Sequence, residues 1–247
     1  MDMREAMVPF GLALENYYYH GVDIPIVIVR DDEYRTEMSV KPFFRRQENF
    51  PAIERRALNK CKGKVVDLGA GVGADSLVLQ NREFNITAVE INPIACEIMQ
   101  QRGVKIVRCM DLFEFSESGF DTILLYGRSI GNVQDLEGLE RFLIHAKTLL
   151  NRDGQIILDS IDLRLQKTPE SIAYQQKKSE TGGYFGEVVS HFEYKENIGP
   201  DFSLLHVDPD KLKEFCEKTG WICEIIYAEA DGNYLAKLTQ TKYWRKN

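Results

Sequence analysis

Residues 65–76 read VVDLGAGVGADS: a short apolar run, three alternating glycines, then the opening of a helical pattern. No other segment limits the fold so sharply. Glycines between a strand and a helix take positive φ cheaply and let a ligand approach the main chain with no Cβ in the way. The first turn of the following helix adds unpaired N–H groups that attract negative or polar ligand atoms. A glycine-rich turn alone is weak evidence, because any tight turn can use glycine. Here the turn stands at the first strand-to-helix junction of a repeating pattern, and that context gives it weight.

The pattern predicts strands at Val65–Leu68, Asn85–Val89, Lys105–Cys109, Phe120–Tyr126 and Gln155–Ser160, with helices opening at Asp75 and running over Asn92–Gln101 and Leu136–Leu150. Alternation with short connections implies right-handed βαβ crossovers and a parallel sheet. The end of the chain differs. Gly186–Tyr194 reads as a strand. Asp208 and Pro209 supply an N-cap and N1 for a helix, and Trp221–Ala228 with Gly232–Leu238 reads as two further strands, so an α/β sheet with an antiparallel ending is expected. Before residue 62 the pattern is irregular: a short helix around Ala6–Tyr19, a β-branched run Ile24–Val29 in which Pro25 favours an edge position or a strand start, a loop over Lys41–Phe50, and a short helix Ala52–Lys60. These residues carry too little apolar area to fold alone. The expected organisation is therefore an N-terminal extension or lid over 1–61 and a main domain over 62–242.

Composition narrows the partners. Against 31 Lys and Arg stand 38 Asp and Glu, a net charge of −7, which disfavours a duplex-binding surface. No apolar run is long enough to span a bilayer. The opening residues carry charges of both signs and no apolar core, so no secretory leader and a cytoplasmic location are expected. The five cysteines and four histidines are scattered without metal-ligand spacing, and no metal site is expected.

The glycine spacing fits two cofactor classes. Gly69-x-Gly71-x-x-Ala74 matches a dinucleotide fingerprint, and Asp67-x-Gly69-x-Gly71-x-Gly73 matches another class. Glu90, at the end of the second strand, suits a ribose diol in either case. Asp67 lies where a pyrophosphate would be repelled and is better placed for an ammonium. Asp111, at the end of the third strand, can accept from an exocyclic adenine amine. Each acid alone is more often structural than functional; their coincidence at three successive strand ends points to a cationic, amino-bearing, phosphate-free nucleoside, S-adenosylmethionine.

VVDLGAGVGADS (65–76), AVEINP (88–93), CMDLFEF (109–115), FDTILLYGRSIGN (120–132) and LLNRDGQIILDS (149–160) together resemble the class I S-adenosylmethionine-dependent methyltransferases, in that family's order and spacing. The resemblance implies a Rossmann-like, seven-stranded, mostly parallel sheet whose final strand is antiparallel. It implies that Gly69, Ala70, Gly71 and Gly73 cradle the methionyl part, that Glu90 with Ile91 holds the ribose, and that Asp111 with Leu112 borders the adenine. Tyr126, after the fourth strand, is expected to face the same cleft.

Methyl transfer from a sulfonium needs no acid for the leaving group, and a base only when the acceptor must lose a proton. No catalytic triad is required, and the sequence offers none. An Asn/Asp-Pro-Pro-aromatic motif, which would indicate adenine or glutamine-amide acceptors, is absent after the fourth strand, where Leu125-Tyr126-Gly127-Arg128-Ser129 stands instead. Tyr126, Arg128 and His206 are the acceptor-facing candidates. Tyr17, Tyr18, Tyr19, Phe43 and Phe44 are candidates for a water-excluding lid, with Arg45 or Arg46 pairing with the methionyl carboxylate. A small-molecule acceptor is favoured. The alternatives are a protein methyltransferase, an NAD-dependent oxidoreductase and a cofactor-binding protein without catalysis. The residues do not specify the acceptor or the oligomeric state.

Overall fold

The computed structural model describes residues 3–241; the first two residues of the expected extension and residue 242 of the expected main domain lie outside them. The chain begins with α1 (Met3–Ala6) and α2 (Val8–His20), then a hairpin of β1 (Ile26–Arg30) and β2 (Arg35–Met38). Two single 3-10 turns, Lys41–Phe44 and Gln47–Asn49, lead into α3 (Ala52–Lys60). The regular part follows as β3 (Val65–Leu68), α4 (Ala74–Asn81), β4 (Ile86–Glu90), α5 (Pro93–Gln101), β5 (Val107–Cys109), β6 (Phe120–Leu125), α6 (Leu136–Leu149) and β7 (Leu150–Ile161). A polar helix α7 (Pro169–Glu180) precedes β8 (Glu187–Tyr194), β9 (Asn197–Ile198) and β10 (Phe202–Leu205). The chain then closes with α8 (Pro209–Thr219), β11 (Trp221–Ala228) and β12 (Asn233–Gln240).

The main sheet has the order β11-β12-β7-β6-β3-β4-β5. Neighbours from β7 to β5 are parallel, while β12 is antiparallel to both β7 and β11. The expected Rossmann-like sheet with its reversed last strand is thus the observed one. Its inner strands are buried on both faces, as β3 and β4 are along their whole length, which is why they read as unbroken apolar runs. Strand order reverses at β3: the chain proceeds to β4 and β5 on one side and returns to β6 and β7 on the other. The carboxyl ends of β3 and its neighbours therefore open a crevice where ligands bind in such sheets.

A second sheet, β10-β8-β1-β2, with β9 on β8, joins the N-terminal hairpin to the segment between α7 and α8. Val27–Arg30 pair antiparallel with Ser190–Glu193. The β-branched run is therefore an interior strand, and Pro25 stands just before its first residue, where its missing N–H costs no ladder bond. The strand at 187–194 serves this second sheet, not the main one. Phe10, Phe43, Phe192 and Phe202 pack where the sheet meets α2, with Phe10 and Phe43 edge to face at 5.1 Å.

One residue ties this roof to the main sheet. Asn92 caps α5 by accepting from the N–H groups of Ile94 (3.0 Å) and Ala95 (3.2 Å), and its amide donates to Met7 O (2.7 Å). Gly11 of α2 lies so close that a Cβ there would be 2.7 Å from the Asn92 amide nitrogen. Asn92→Ala removes the cap and the tether together. The expected loss is about 1–2 kcal/mol, read as a fall in melting temperature of about 2–4 °C per kcal/mol; an unchanged melting curve contradicts the tethering role.

Candidate functional site

The site is built on the β3–α4 turn. Gly69 adopts φ 78°, and a Cβ on it would stand 2.8 Å from Ser129 Oγ. Ser129 Oγ lies 3.0 Å from Gly69 O and 2.8 Å from Tyr126 O, so its hydroxyl bolts the turn to the tip of β6. At the other side Glu90, the last residue of β4, accepts from the Gly71 N–H and from the Asn92 N–H, each at 2.9 Å. Beneath the turn Ser76 of α4 donates to Asp67 at 2.6 Å. Gly73 caps α4 with φ 79°, packed so closely on Met99 and Val104 that a Cβ would be 2.7 Å from Met99 Cγ.

Several acids crowd this turn in a desolvated setting. Burial pushes the Asp67 carboxyl up to about 7; the Ser76 hydroxyl opposes the rise and the nearby Glu90 charge adds to it. Burial also raises Glu90, against the pull of the Asn92 and Gly71 N–H groups. Asp75 is held well above the usual carboxylate range by burial and then by Glu54 beside it. A cation entering here would favour the ionised form of each.

At the strand tips a narrow cleft is lined by Gly69, Val89, Glu90 and Ile91, by Met110, Asp111 and Leu112 after β5, and by Met3 and Asn132. Among the expected donor-binding residues, Gly69, Glu90, Ile91, Asp111 and Leu112 thus meet in one place. Asp67 is buried below them, and Gly71 joins through its N–H to Glu90. Ala70 sits in the same turn, donating its N–H to Val89 O (3.0 Å). Met3 and Asn132 carry no mark in the sequence as donor-binding residues. Asn132 ends the segment FDTILLYGRSIGN, but nothing in the pattern marks it, and Met3 carries no signal at all.

The lining of the cleft suits the chemistry of an adenosine moiety. Glu90 keeps a second lone pair on each oxygen for hydroxyl donors, and Ile91, Met110 and Leu112 offer apolar surface to a purine. Among the described residues no basic side chain lines it, and its two acids, Glu90 and Asp111, would repel a pyrophosphate.

Arg45, expected as a partner for the methionyl carboxylate, pairs with an internal acid. Its Nε and Nη2 donate to the two oxygens of the fully buried Glu54, both at 2.7 Å, and Nη1 donates to Pro42 O at 2.6 Å. The fork is committed to closing the 41–49 segment onto α3. Phe43 of that segment reaches the glycine turn, where a Cβ on Gly71 would be 3.9 Å from its ring.

The acceptor-facing candidates group beyond the β6 tip. Tyr126 is nearly buried, and burial followed by the charge of Asp159 pushes its phenol up. Arg128 has a left-handed backbone, φ 64°, and its N–H donates to Asp159 at 2.9 Å. Burial raises Asp159 to about 6 despite that N–H. His206, between β10 and α8, has a buried Nδ1 with no hydrogen-bond partner, and burial together with the Arg128 cation pushes the imidazole down to about 4.

The methyltransferase-domain family matches residues 43–221. The chain belongs to this family. It is a class I S-adenosylmethionine-dependent methyltransferase, with S-adenosylmethionine as cofactor. A solved S-adenosylmethionine-dependent methyltransferase from Bacteroides fragilis, in complex with S-adenosyl-L-homocysteine, is 31% identical, with 96% of each chain covered and a TM-score of 0.84. The CcbJ methyltransferase of Streptomyces caelestis (11% identity, 78% of this chain and 94% of that one, TM-score 0.57) and a Pyrococcus horikoshii protein (19%, 79% and 95%, 0.57) share the fold. A search of curated proteins returned no match. No helix among the described residues is long and apolar enough to cross a membrane.

The raised acids give the methyltransferase a defined pH response. Asp67 binds its proton more tightly folded than unfolded, so between about pH 4 and pH 7 the folded state holds more protons and stability falls as pH rises. Thermal melts of the ligand-free protein should drop across this window. Asp67→Asn should flatten the slope, and an identical slope in the variant contradicts the assignment.

Proposed function

We propose that this methyltransferase holds its donor in the cleft between the tips of β3, β4 and β5 and acts on a small-molecule acceptor. S-adenosylmethionine, when bound, supplies a methyl group on a cationic sulfur. Glu90 accepts from the ribose hydroxyls while its other lone pairs keep the Gly71 and Asn92 amides in place. Ile91 and Leu112 cover the purine, and Asp111 accepts from its exocyclic amine with Oδ2, since Oδ1 already takes the Phe113 N–H at 2.7 Å. The backbone of Gly69, Ala70, Gly71 and Gly73 borders the methionyl part, and the charge of Asp67 favours its ammonium. Tyr126 stands where donor and acceptor spaces meet.

The observation that carries the small-molecule reading is the roof. Met3 lines the donor cleft itself, Phe43 reaches the glycine turn, and the second sheet pairs the N-terminal hairpin with strands inserted before α8. A cover of this kind excludes water from a compact substrate and obstructs a folded protein. The net charge of −7 agrees with a metabolite acceptor over nucleic acid, and five free cysteines suit a reducing, cytoplasmic setting. Arg45 we assign to holding this cover closed, because pairing with the methionyl carboxylate would strip the buried Glu54 of its partner.

Calorimetry with S-adenosylhomocysteine and with NAD tests the donor site. S-adenosylhomocysteine should bind and NAD should not. Glu90→Gln should weaken S-adenosylhomocysteine roughly 10- to 100-fold, the scale of a hydrogen bond to a charged group. Binding of NAD, or an unaffected Glu90→Gln variant, overturns the site. Arg45→Ala should cost about 3 kcal/mol of stability by leaving Glu54 buried and unpaired, with S-adenosylhomocysteine affinity within about twofold at a temperature where the variant is folded. Lost affinity with unchanged stability would instead put the guanidinium on the donor.

A further inference from the structure

Three features beyond the β6 tip have no role in holding the donor. The first is backbone strain. Gly127, Arg128 and Gln134 all take positive φ (76°, 64° and 78°), and for two non-glycine residues that is a cost kept only where the surroundings enforce it. The enforcement is visible: Asp159 receives the Arg128 N–H at 2.9 Å, and Ser129 is bonded to the glycine turn. The backbone at Arg128 is thereby locked beside the donor cleft, which the same turn lines through Asn132.

The second is the Arg128 side chain. Asp159 Oδ1 takes the Arg128 N–H, and among the described residues the guanidinium forms no ion pair within 4.0 Å; its Nη2 donates to the neutral Asn233 Oδ1 at 3.0 Å. Arg30, Arg35, Arg45, Arg108 and Arg164 all lie on carboxylates. The exposed guanidinium, carried on a fixed backbone, keeps donors for an external anion.

The third is His206. β10 packs on the turn after β6, where a Cβ on Gly131 would be 3.2 Å from Leu205 O, and this places the next residue, His206, within the electrostatic reach of Arg128. Its main chain is fixed by the His206 N–H to Gly186 O (2.7 Å), while its Nδ1 is buried and unpartnered. An unmet buried ring nitrogen calls for a ligand atom. Beside Arg128 the ring stays neutral, so with the proton on Nε2 it offers an acceptor, not a second cation.

We infer that Arg128 and His206 form the acceptor subsite of this methyltransferase, and that the acceptor is a small carboxylic acid bearing a hydroxyl group, its carboxylate on Arg128 and its hydroxyl donating to His206 Nδ1. The hydroxyl oxygen takes the methyl group as the donor's S–C bond breaks and S-adenosylhomocysteine leaves, and the hydroxyl proton passes to His206 Nδ1. This rests on the donor site proposed above and adds the substrate class to it. Arg128 selects charge by binding the carboxylate, and His206 orients the hydroxyl and accepts its proton.

The test uses a small-molecule cell extract separated into anionic, neutral and cationic pools, each incubated with the full-length protein and S-adenosylmethionine carrying a labelled methyl group. Label should enter only the anionic pool, in a product still retained by an anion exchanger because its carboxylate is untouched. Arg128→Gln should raise the apparent KM at least tenfold, with kcat recovered at high acceptor concentration and partial rescue by Arg128→Lys. His206→Asn should lower kcat more than it raises KM. Calorimetry of both variants with S-adenosylhomocysteine should match the wild type, which shows that they are folded. Label in the neutral or cationic pool overturns the proposal, as does an Arg128→Gln variant with unchanged KM, or an anionic pool that takes no label although S-adenosylhomocysteine binds. Failure of the wild type to bind S-adenosylhomocysteine at all would instead strike the donor site.

Discussion

A buried carboxylate accepting two backbone amides holds the site together. Glu90, at the tip of one strand, reaches the Gly71 N–H in the turn beyond the neighbouring strand and the Asn92 N–H at the head of the next helix. Removing such an acceptor leaves donors unpaired in a low-dielectric setting, so the arrangement is all or nothing. Through Gly71 the carboxylate sets the glycine turn; through Asn92 it sets the cap of α5, and Asn92 in turn holds Met7 and the helices of the roof. One acid thus coordinates the floor of the donor cleft with its cover.

The concentration of acids has a second consequence. Asp67, Asp75, Glu90 and Asp159 are all driven upward by burial, so ionising them in the ligand-free protein costs more than ionising exposed carboxylates. A compound with positive charge on sulfur and nitrogen relieves that burden where it stands. A phosphate-bearing dinucleotide would add to it. The choice between the two cofactor classes permitted by the glycine spacing is therefore electrostatic, and the glycines themselves do not make it.

What could be read from sequence was what is local. The β3–α4 turn, the doubly buried runs of β4 and β6, and the Asp208–Pro209 start of α8 each carry their cause within a few residues. The cleft residues Glu90, Ile91, Asp111 and Leu112 follow from that regularity, since each ends or follows a predicted strand. The roof was not legible. Its central pairing joins residues 27–30 to 190–193, and no periodicity within either segment announces the other. α7 buries only Tyr174, so it lacks the apolar stripe by which helices are recognised. β7 starts at Leu150, before the predicted Gln155, because pairing with Phe120 of β6 extends it backward. Arg45 illustrates the same limit. A lone arginine near a predicted lid suggests an external anion, and only the fold reveals that Glu54 already satisfies it.

A crystal structure with S-adenosylhomocysteine bound tests the central claim most directly. Both ribose hydroxyls should lie within hydrogen-bond distance of Glu90, the adenine between Ile91 and Leu112 with its amine on Asp111, and the Gly71–Glu90 bond should remain intact. Electron density for the nucleoside outside this cleft, or a ribose that makes no contact with Glu90, would contradict it.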